Sequence, residues 1–290
     1  MKKYIWEIGL ILVAIIWGSG FVGTKFAIDG GLTAYQVITC RFLVASILIN
    51  IIFFKTIKEN IDKKSIKMGV TLGIFLFLAF VFQTVGIVYT TASKNAFISA
   101  VNVVIVPFIG YFVYKRKLDK LGIITSITTL IGIAILSLEP DFSVNIGDVL
   151  TLICAFGFAF HIFYTGEYSK DHNPIVLTSV QFITVAILSF TLQFVIGQGQ
   201  IVATKDAMLG VLYLGVFSTT LCFLGQTICQ KRIPSSRAAI ILSTEAIFGM
   251  IFSVLMLGEI LTIRTVIGSL IIFISILVSE NKDYFLNRKS

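Results

Sequence analysis

Charged residues are scarce in this sequence: they make up 13% of its 290 residues, against roughly 25% in soluble globular domains. The four cysteines all lie inside apolar runs without metal-ligand spacing, so neither a disulfide scaffold nor a metal site is predicted. Hydrophobic residues make up 57% of the chain, and the mean hydropathy is +0.96. This composition excludes a soluble enzyme and a disordered protein, and it predicts an all-α membrane protein.

The hydrophobic residues form ten stretches of about membrane-spanning length, separated by short segments rich in charge or in turn-forming residues. A membrane helix needs about 20 mainly apolar residues. The predicted transmembrane helices, numbered as spans 1 to 10, are Trp6–Ile28, Ala34–Phe54, Met68–Tyr89, Asn95–Tyr114, Leu121–Leu138, Val149–Thr165, Ile175–Ile196, Ala207–Cys229, Ala238–Leu257 and Ile263–Ser279.

The basic residues strongly favour one side of the membrane. If the spans alternate in direction, eighteen of the 23 Lys and Arg residues fall on one side. Three fall on the other side, Lys94, Lys205 and Arg264, while Lys25 and Arg41 lie within spans. Because basic loops stay in the cytoplasm, the sequence predicts a multi-pass protein of the cell membrane with both termini cytoplasmic.

This orientation predicts on which side of the membrane each main loop lies. Lys55–Lys67 is predicted to be cytoplasmic, Glu139–Asn145 external, and residues 280–290 a cytoplasmic tail. The net charge of +8 comes from residues scattered between apolar stretches. It therefore does not indicate a nucleic-acid surface.

The chain divides near Glu139–Gly147 into two sets of five spans, residues 6–138 and 148–279. Because five is odd, the second set starts from the opposite side, and homologous halves would form two inverted five-helix repeats. At one constant offset, without a gap, the matching pairs are Lys94 with Arg237, Asn102 with Glu245, Leu118 with Leu261 and Gly132 with Ser275. Inverted repeats are typical of transporters whose halves move around a site near the midplane.

Motifs in these spans resemble those of EamA-type transporters in the drug/metabolite transporter superfamily. They are Trp17-Gly18-Ser19-Gly20-Phe21 with Lys25, Arg41-Phe42-Leu43-Val44-Ala45, Thr91 to Ile98 with Val106-Pro107, Gly147-Asp148 with Ala159-Phe160-His161, Gln230-Lys231 with Ser236-Arg237, Leu242 to Glu245, and Leu257-Gly258-Glu259. One departure is Ala246, where family members often have a proline. The resemblance implies a transporter of amino acids, metabolites or drugs, with spans 5 and 10 at the periphery.

Charged side chains inside the spans are the first candidates for a substrate site, because a charge in hydrocarbon costs several kcal/mol. By helical rise, Arg41 lies about 10 Å from the outer surface and Glu245 about 12 Å from the inner surface. The two can meet directly or across a bound substrate, and a purely structural ion pair between the halves is the alternative. Lys25 is expected to extend toward the interface.

Other polar or aromatic residues complete the predicted substrate site. With Arg41 and Glu245 they are Trp17, Gln83, Asn102, Tyr164, Gln181 and Ser243. We expect Arg41, Asn102 and Glu245 to face one central cavity with Trp17 on its wall; interhelical hydrogen bonding or packing is the alternative role for the neutral residues. Glu245 and His161 are the predicted proton carriers, with structural hydrogen bonding the alternative for His161.

The sequence predicts a secondary transporter, an exporter that works by alternating access, and not an enzyme. It has no HExxH, GxSxG, phosphate-binding or Cys-x-x-Cys motif and no long loop for a sensor domain; a passive channel of the same fold is the alternative. Gly18, Gly20 and Gly23, like Gly69 and Gly73, indicate close helix packing. No cofactor is predicted. The expected partners are a small-molecule substrate and the lipid bilayer, and the oligomeric state is open.

Overall fold

The computed structural model describes residues 4–115, 120–137, 144–198 and 200–280. Within these ranges the elements are fourteen α-helices and one π-helix. In chain order they are α1 Ile5–Asp29, α2 Ala34–Ile52, α3 Phe54–Asn60, α4 Lys63–Tyr89, α5 Ala92–Ser99, α6 Asn102–Tyr114, α7 Lys120–Ser137, α8 Ile146–Tyr168, α9 Pro174–Val195, α10 Lys205–Tyr213, the π-helix Leu214–Leu221, α11 Cys222–Gln230, α12 Ser235–Ser243, α13 Glu245–Leu257 and α14 Ile263–Glu280.

The described part of the chain contains eight helical segments long and apolar enough to cross a membrane. They correspond to predicted spans 1 to 4 and 6 to 9, and two shorter apolar helices, Ile123–Leu136 and Ile263–Ser275, fall within spans 5 and 10. Many Ile, Leu, Val and Phe side chains are exposed on the outer surface, where they can contact lipid. The prediction of an all-helical membrane protein is confirmed, whereas the count of ten spans stays a prediction.

Some predicted features lie outside the described residues. They are the N-terminal Lys2 and Lys3, the basic residues Arg116 and Lys117 with neighbouring Leu118, most of the predicted external loop Glu139–Asn145, and the predicted cytoplasmic tail beyond Glu280 with Lys282, Arg288 and Lys289.

Polar residues in the loops fix where the membrane helices begin. Thr33 and Gln36 form a capping box at the start of α2, and Asp62 and Ser65 form one at the start of α4. The hydrogen bonds from Ser65 hold the pKa of the Asp62 carboxyl below its usual value, because they stabilise its ionised form. These caps satisfy backbone N–H groups that would otherwise lack partners at the helix ends.

The membrane helix made of α5 and α6 is interrupted near its middle. Helix α5 ends at Ser99 and α6 begins at Asn102. At the break the Val101 N–H bonds to the carbonyl of Ile98, three residues back, and the Asn102 side chain donates to the carbonyl of Ser99 at 2.9 Å. Such three-residue turns replace the regular α-helical bond and bend the helix locally.

The membrane helix made of α12 and α13 is interrupted in the same way, at the corresponding place in the second half of the chain. The Thr244 N–H bonds to the carbonyl of Ile241, and the Thr244 hydroxyl donates to that same carbonyl at 2.6 Å. Hydroxyl groups that bond back to the preceding turn are a known cause of helix bending. The break therefore forms although Ala246 stands where a proline is frequent in the resembled family.

Helix packing repeats between the two parts of the chain. Helix α1 packs on α13 as α8 packs on α6, and α2 packs on the π-helix as α9 packs on α4. The remaining large contacts are α4 with α8, which is the most extensive in the described part of the chain, α7 with α14, and α2 with α9. Helices α7 and α14 pack mainly on each other, which places predicted spans 5 and 10 at the edge of the bundle.

Glycines allow several of these helices to approach closely. A Cβ atom on Gly18 would lie 2.5 Å from the Cβ of Phe248 in α13, and one on Gly69 or Gly73 would lie 2.5–2.6 Å from side chains of α9. Carbon atoms cannot approach that closely without a shift of the backbone. The glycine spacing in α1 and α4 therefore serves helix packing, as the sequence indicates.

Candidate substrate-binding site

A cavity lies in the middle of the bundle, between helices from both parts of the chain. Its volume is about 50 Å³, which is room for a few water molecules. Six of the predicted site residues line it: Trp17, Arg41, Gln83, Asn102, His161 and Glu245. The structure thus brings together the residues expected at a common cavity, with Trp17 on its wall.

Several lining residues form pairs at one constant separation in the sequence. Phe80 and Gln83 of α4 line one part of the cavity, and their counterparts Phe223 and Gln226 of α11 line another. The same offset relates Asn102 to Glu245, and each of these two is the first residue after a helix interruption. The cavity is therefore built from corresponding positions of two similar halves.

The Arg41 guanidinium is buried and held by neutral groups. Its Nε donates to the Thr219 hydroxyl at 2.9 Å, and its Nη2 donates to the Ser218 hydroxyl at 3.1 Å. The guanidinium carbon also lies 4.6 Å from the ring centroid of Phe80, a cation–π distance. No ion pair between Arg41 and Glu245 occurs among the described residues, so the direct pairing that the sequence left open is absent in this conformation.

The π-helix explains how Arg41 finds its partners. Its wider turn lets the Thr220 hydroxyl donate to the carbonyl of Gly215, five residues back, at 2.8 Å. The same segment exposes the carbonyl of Ser218, which accepts from the Trp17 indole at 2.8 Å. Isolated π-helical turns are frequent at functional sites. Ser218 and Thr219 are not among the residues predicted for the site, although three consecutive hydroxyl residues in an apolar span are a detectable signal.

The Glu245 carboxylate is buried at the N-terminus of α13. The residue is 8% exposed, and the described residues give its carboxylate no hydrogen bond or ion pair. The helix dipole favours negative charge at this end of a helix, and no cationic side chain of the described chain neutralises it. The carboxylate is thus available to a ligand or a proton.

His161 and Gln181 form a buried pair beside the cavity. The His161 Nε2 and the Gln181 Oε1 are 2.8 Å apart, and the His161 ring packs edge-on against Phe223. Gln181 itself is fully buried and is not part of the cavity lining. This hydrogen bond fits the structural role that the sequence left open for His161, and a proton-carrying role for that histidine stays a prediction.

Tyr164 and Ser243, also predicted site residues, lie outside the cavity lining. Tyr164 stacks on Phe75 with ring centroids 5.6 Å apart, and it contacts Phe163 and Tyr168. The Ser243 hydroxyl donates to the carbonyl of Ile240 at 2.6 Å, within its own helix. In this conformation both residues make packing or local contacts.

Ion pairs between described residues join the halves at opposite ends of the bundle. Lys94 at the start of α5 pairs with Asp148 at the start of α8, with 3.7 Å between Nζ and Oδ2. Arg237 near the start of α12 pairs with Glu7 near the start of α1, with 2.7 Å between Nη2 and Oε1. Lys94 and Arg237 are related by the repeat offset, so the two pairs occupy corresponding positions. We call them the Lys94 latch and the Arg237 latch.

Sequence comparison assigns the chain to a family. The model of the EamA-like transporter family matches residues 4–138 and again residues 145–280. The chain belongs to the EamA-like transporter family. It is therefore a membrane transporter, for which small-molecule substrates and a lipid bilayer are the expected partners, as the motifs in its sequence suggest.

Individual relatives of this EamA-like transporter agree with the family. An uncharacterized transporter of Archaeoglobus fulgidus is 35% identical over 278 residues, covering 96% of this chain and 86% of the relative. An uncharacterized transporter of Bacillus subtilis, YdfC, is 22% identical over 267 residues, covering 88% and 84%. One crystal structure, 11% identical, superimposes with a TM-score of 0.73 over 98% of this chain and 99% of the other. That last likeness shows a shared fold.

Proposed function

We propose that this EamA-like transporter is a secondary transporter of the cell membrane, which exports small metabolites, amino acids or drugs by alternating access. The observation that carries the proposal is the central cavity, which is lined by residues of both halves, while two ion pairs join the halves elsewhere in the bundle. A transporter of this kind opens one cavity to each side in turn. The proposed site residues are Arg41, Asn102, Glu245, Trp17 and Gln83.

The proposed architecture is ten spans arranged as two inverted repeats, residues 6–138 and 148–279, followed by a cytoplasmic tail. The paired helix contacts, the matching interruptions before Asn102 and Glu245, and the two separate family matches support it. The excess of basic residues on one side supports cytoplasmic termini. A cysteine introduced at Asn60, in the predicted cytoplasmic loop, should resist an impermeant reagent applied to intact cells.

The latches give alternating access a physical basis. Each joins a residue of one half to a residue of the other, so separation of the halves at that end requires the ion pair to break. The Asp148 side chain is 2% exposed and also accepts from the Thr90 hydroxyl at 2.5 Å, whereas the Arg237 side chain is 54% exposed. Exposed ion pairs contribute little to stability. The Arg237 end, on the predicted cytoplasmic side, therefore opens more readily.

The small cavity volume agrees with a conformation closed at both ends. A cavity of about 50 Å³ is too small for a metabolite the size of an amino acid, so binding requires the halves to move apart. The interruptions in spans 4 and 9 place bends beside the cavity, where such a movement would reshape it. A rigid pore would not undergo this movement of the two halves.

Reconstituted protein tests the function. Purified transporter in liposomes, given a panel of amino acids, nucleosides and cationic dyes with and without a pH gradient, should accumulate at least one compound against its concentration gradient. Flux that only follows the concentration gradient would support the channel alternative. Absence of flux for every compound in correctly folded preparations would contradict the proposal for these substrate classes.

A further inference from the structure

Three residues that line the cavity carry buried side-chain oxygens without a hydrogen-bond partner in the described structure. The atoms are Asn95 Oδ1, Asn102 Oδ1 and Gln226 Oε1. Most buried polar groups in proteins are paired, so each exception requires an explanation. All three atoms are acceptors, which indicates that the missing partner is a donor.

The orientation of the two asparagine amides is fixed by what their nitrogens contact. The Asn102 amide donates to the carbonyl of Ser99 at 2.9 Å, and the Asn95 amide donates to the carbonyl of Gln83 at 3.1 Å. A backbone carbonyl can only accept, so the NH₂ group must face it in both cases. Exchanging the nitrogen and oxygen of either amide would set two acceptors against each other.

The orientation of Gln226 follows from a chain of two hydrogen bonds. The Gln230 amide donates to the carbonyl of Ile162 at 3.0 Å, so the oxygen of Gln230 is the atom left to accept. The Gln226 amide donates to that oxygen at 2.8 Å. The oxygen of Gln226, Oε1, is therefore the atom left without a partner, and it is an acceptor. Gln226 lines the cavity but is not among the residues predicted for the site.

The Glu245 carboxylate adds a negative charge to this set of acceptors. It can accept hydrogen bonds and, when ionised, cannot donate. The cavity's own cation, Arg41, already donates to Ser218 and Thr219 and lies against Phe80. A ligand that suits these groups brings N–H donors and a positive charge. A primary ammonium has three N–H donors, a positive charge and no acceptor.

We propose that the transporter recognises its cargo through a primary ammonium group, which uses Asn95, Asn102 and Gln226 as hydrogen-bond acceptors and Glu245 as counter-charge. Asn95 and Asn102 are about 10 Å apart along span 4 by helical rise. The ammonium therefore meets these acceptors in succession as the cargo moves through the cavity. The inference rests on the proposed transport function and specifies the chemical class of cargo.

Three aromatic probes that differ only in their head group test the proposal. The cavity walls include Trp17, Phe80, Phe158 and Phe223, which can contact a phenyl ring. The probes are 2-phenylethylamine, its N,N,N-trimethyl derivative, which keeps the charge but has no N–H donor, and the neutral 2-phenylethanol. Binding to the full chain in lipid nanodiscs at neutral pH is measured by isothermal titration calorimetry.

The amine should bind at least tenfold more tightly than both other probes, because it alone supplies both N–H donors and charge. Equal or tighter binding of the trimethyl derivative would show that charge alone is recognised and would overturn the proposal. Equal or tighter binding of the alcohol would overturn it as well. So would a strict requirement for sodium ions, because a metal ion would then occupy the acceptors.

Variants connect the binding to the named oxygens. Asn102→Leu and Gln226→Met remove one acceptor each with little change in volume, and each should weaken amine binding at least fivefold. The matched control is Gln193→Met: Gln193 is buried and has an unpaired oxygen, but it does not line the cavity. Unchanged amine affinity in both cavity variants, with the fold verified by thermal melting, would contradict the assignment of these oxygens.

The outcomes separate this inference from the proposed function. If the transporter accumulates a compound without an amino group while no amine binds, the transport function stands and the ammonium proposal fails. If the amine binds with the predicted selectivity but liposomes accumulate no compound, the ammonium site stands and the transport mechanism fails.

Discussion

Asn102 and Glu245 occupy the same position in two different membrane helices, one in each half of the chain, and each is the first residue after a break in its helix. Both line the central cavity, and neither has its side-chain oxygens fully satisfied by the described residues. One is neutral and the other acidic, so a cavity built from similar halves has one carboxylate. This asymmetry allows a cargo molecule to bind in a preferred orientation.

Replacement of Glu245 by Gln tests proton coupling. Gln keeps the shape of the side chain but cannot release a proton, so the variant should lose accumulation driven by a pH gradient. It should keep substrate exchange, at a higher substrate concentration where the cargo is an amine that uses Glu245 as counter-charge. The measurement is uptake into liposomes with and without the gradient. The control is Glu59→Gln, at an exposed position in α3. An unchanged pH profile in Glu245→Gln would assign Glu245 a structural role.

Removal of the Thr219 hydroxyl tests how Arg41 is held. Thr219→Val removes the acceptor of the Arg41 Nε bond, and a hydrogen bond to a charged group contributes roughly 1.5–3 kcal/mol. The variant should unfold at a lower denaturant concentration and bind substrate more weakly. The matched control is Thr220→Val, because the Thr220 hydroxyl bonds only to the backbone of its own helix. Equal losses of stability and of substrate binding in the two variants would show that the hydrogen bond from Arg41 to Thr219 is not the cause.

A methyl group on Gly18 tests the contact between α1 and α13. Gly18→Ala places a Cβ 2.5 Å from the Phe248 Cβ and 2.8 Å from the Gly249 nitrogen, and overpacking of this kind costs roughly 1–3 kcal/mol. The melting temperature should fall. Gly225→Ala is the control, since its Cβ would meet one side-chain atom at 3.4 Å. Similar melting temperatures for both variants would show that the two helices can move apart at little cost.

The class of the fold, and the position of Arg41, Asn102 and Glu245 around one cavity, could be predicted from the sequence because hydrocarbon imposes strong constraints. Length and hydropathy mark the membrane helices, and a charge within a span, such as Arg41 or Glu245, must face the interior. The repeat offset predicts that Asn102 and Glu245 face the same cavity, and both line it. Such features can be predicted because single residue types and their spacing along the chain determine them.

The partners of Arg41 and the helix interruptions could not be predicted in this way. They depend on local backbone geometry, such as the π-helix before Cys222 and the turn at Thr244, for which hydropathy carries no signal. The break at Thr244 forms without a proline, the usual sequence indicator. Tyr164 and Ser243 are polar residues in spans, yet their side chains contact neighbours outside the cavity lining. The rotation of each helix about its axis determines which of its side chains face the cavity.

The two latches should differ in strength. Asp148→Asn removes the buried member of one ion pair, and Glu7→Gln removes a more exposed one. The buried Asp148 carboxylate pairs with Lys94 and accepts from the Thr90 hydroxyl, so its replacement disturbs two interactions of a buried group, whereas exposed pairs contribute about 0–1 kcal/mol. Thermal melting should therefore show a larger loss of stability for Asp148→Asn. A larger loss for Glu7→Gln would contradict the order in which we expect the ends to open.

The accessibility of Leu242, a buried cavity residue, tests alternating access most directly. A single cysteine at this position, in a chain lacking the four native cysteines, is labelled with an impermeant thiol reagent applied separately to each face of the membrane. Lys94→Gln should raise the labelling rate from the outer face and lower it from the cytoplasmic face, and Arg237→Gln should do the reverse. An increase from both faces at once, in either variant, would indicate a continuous pore and contradict the proposed mechanism.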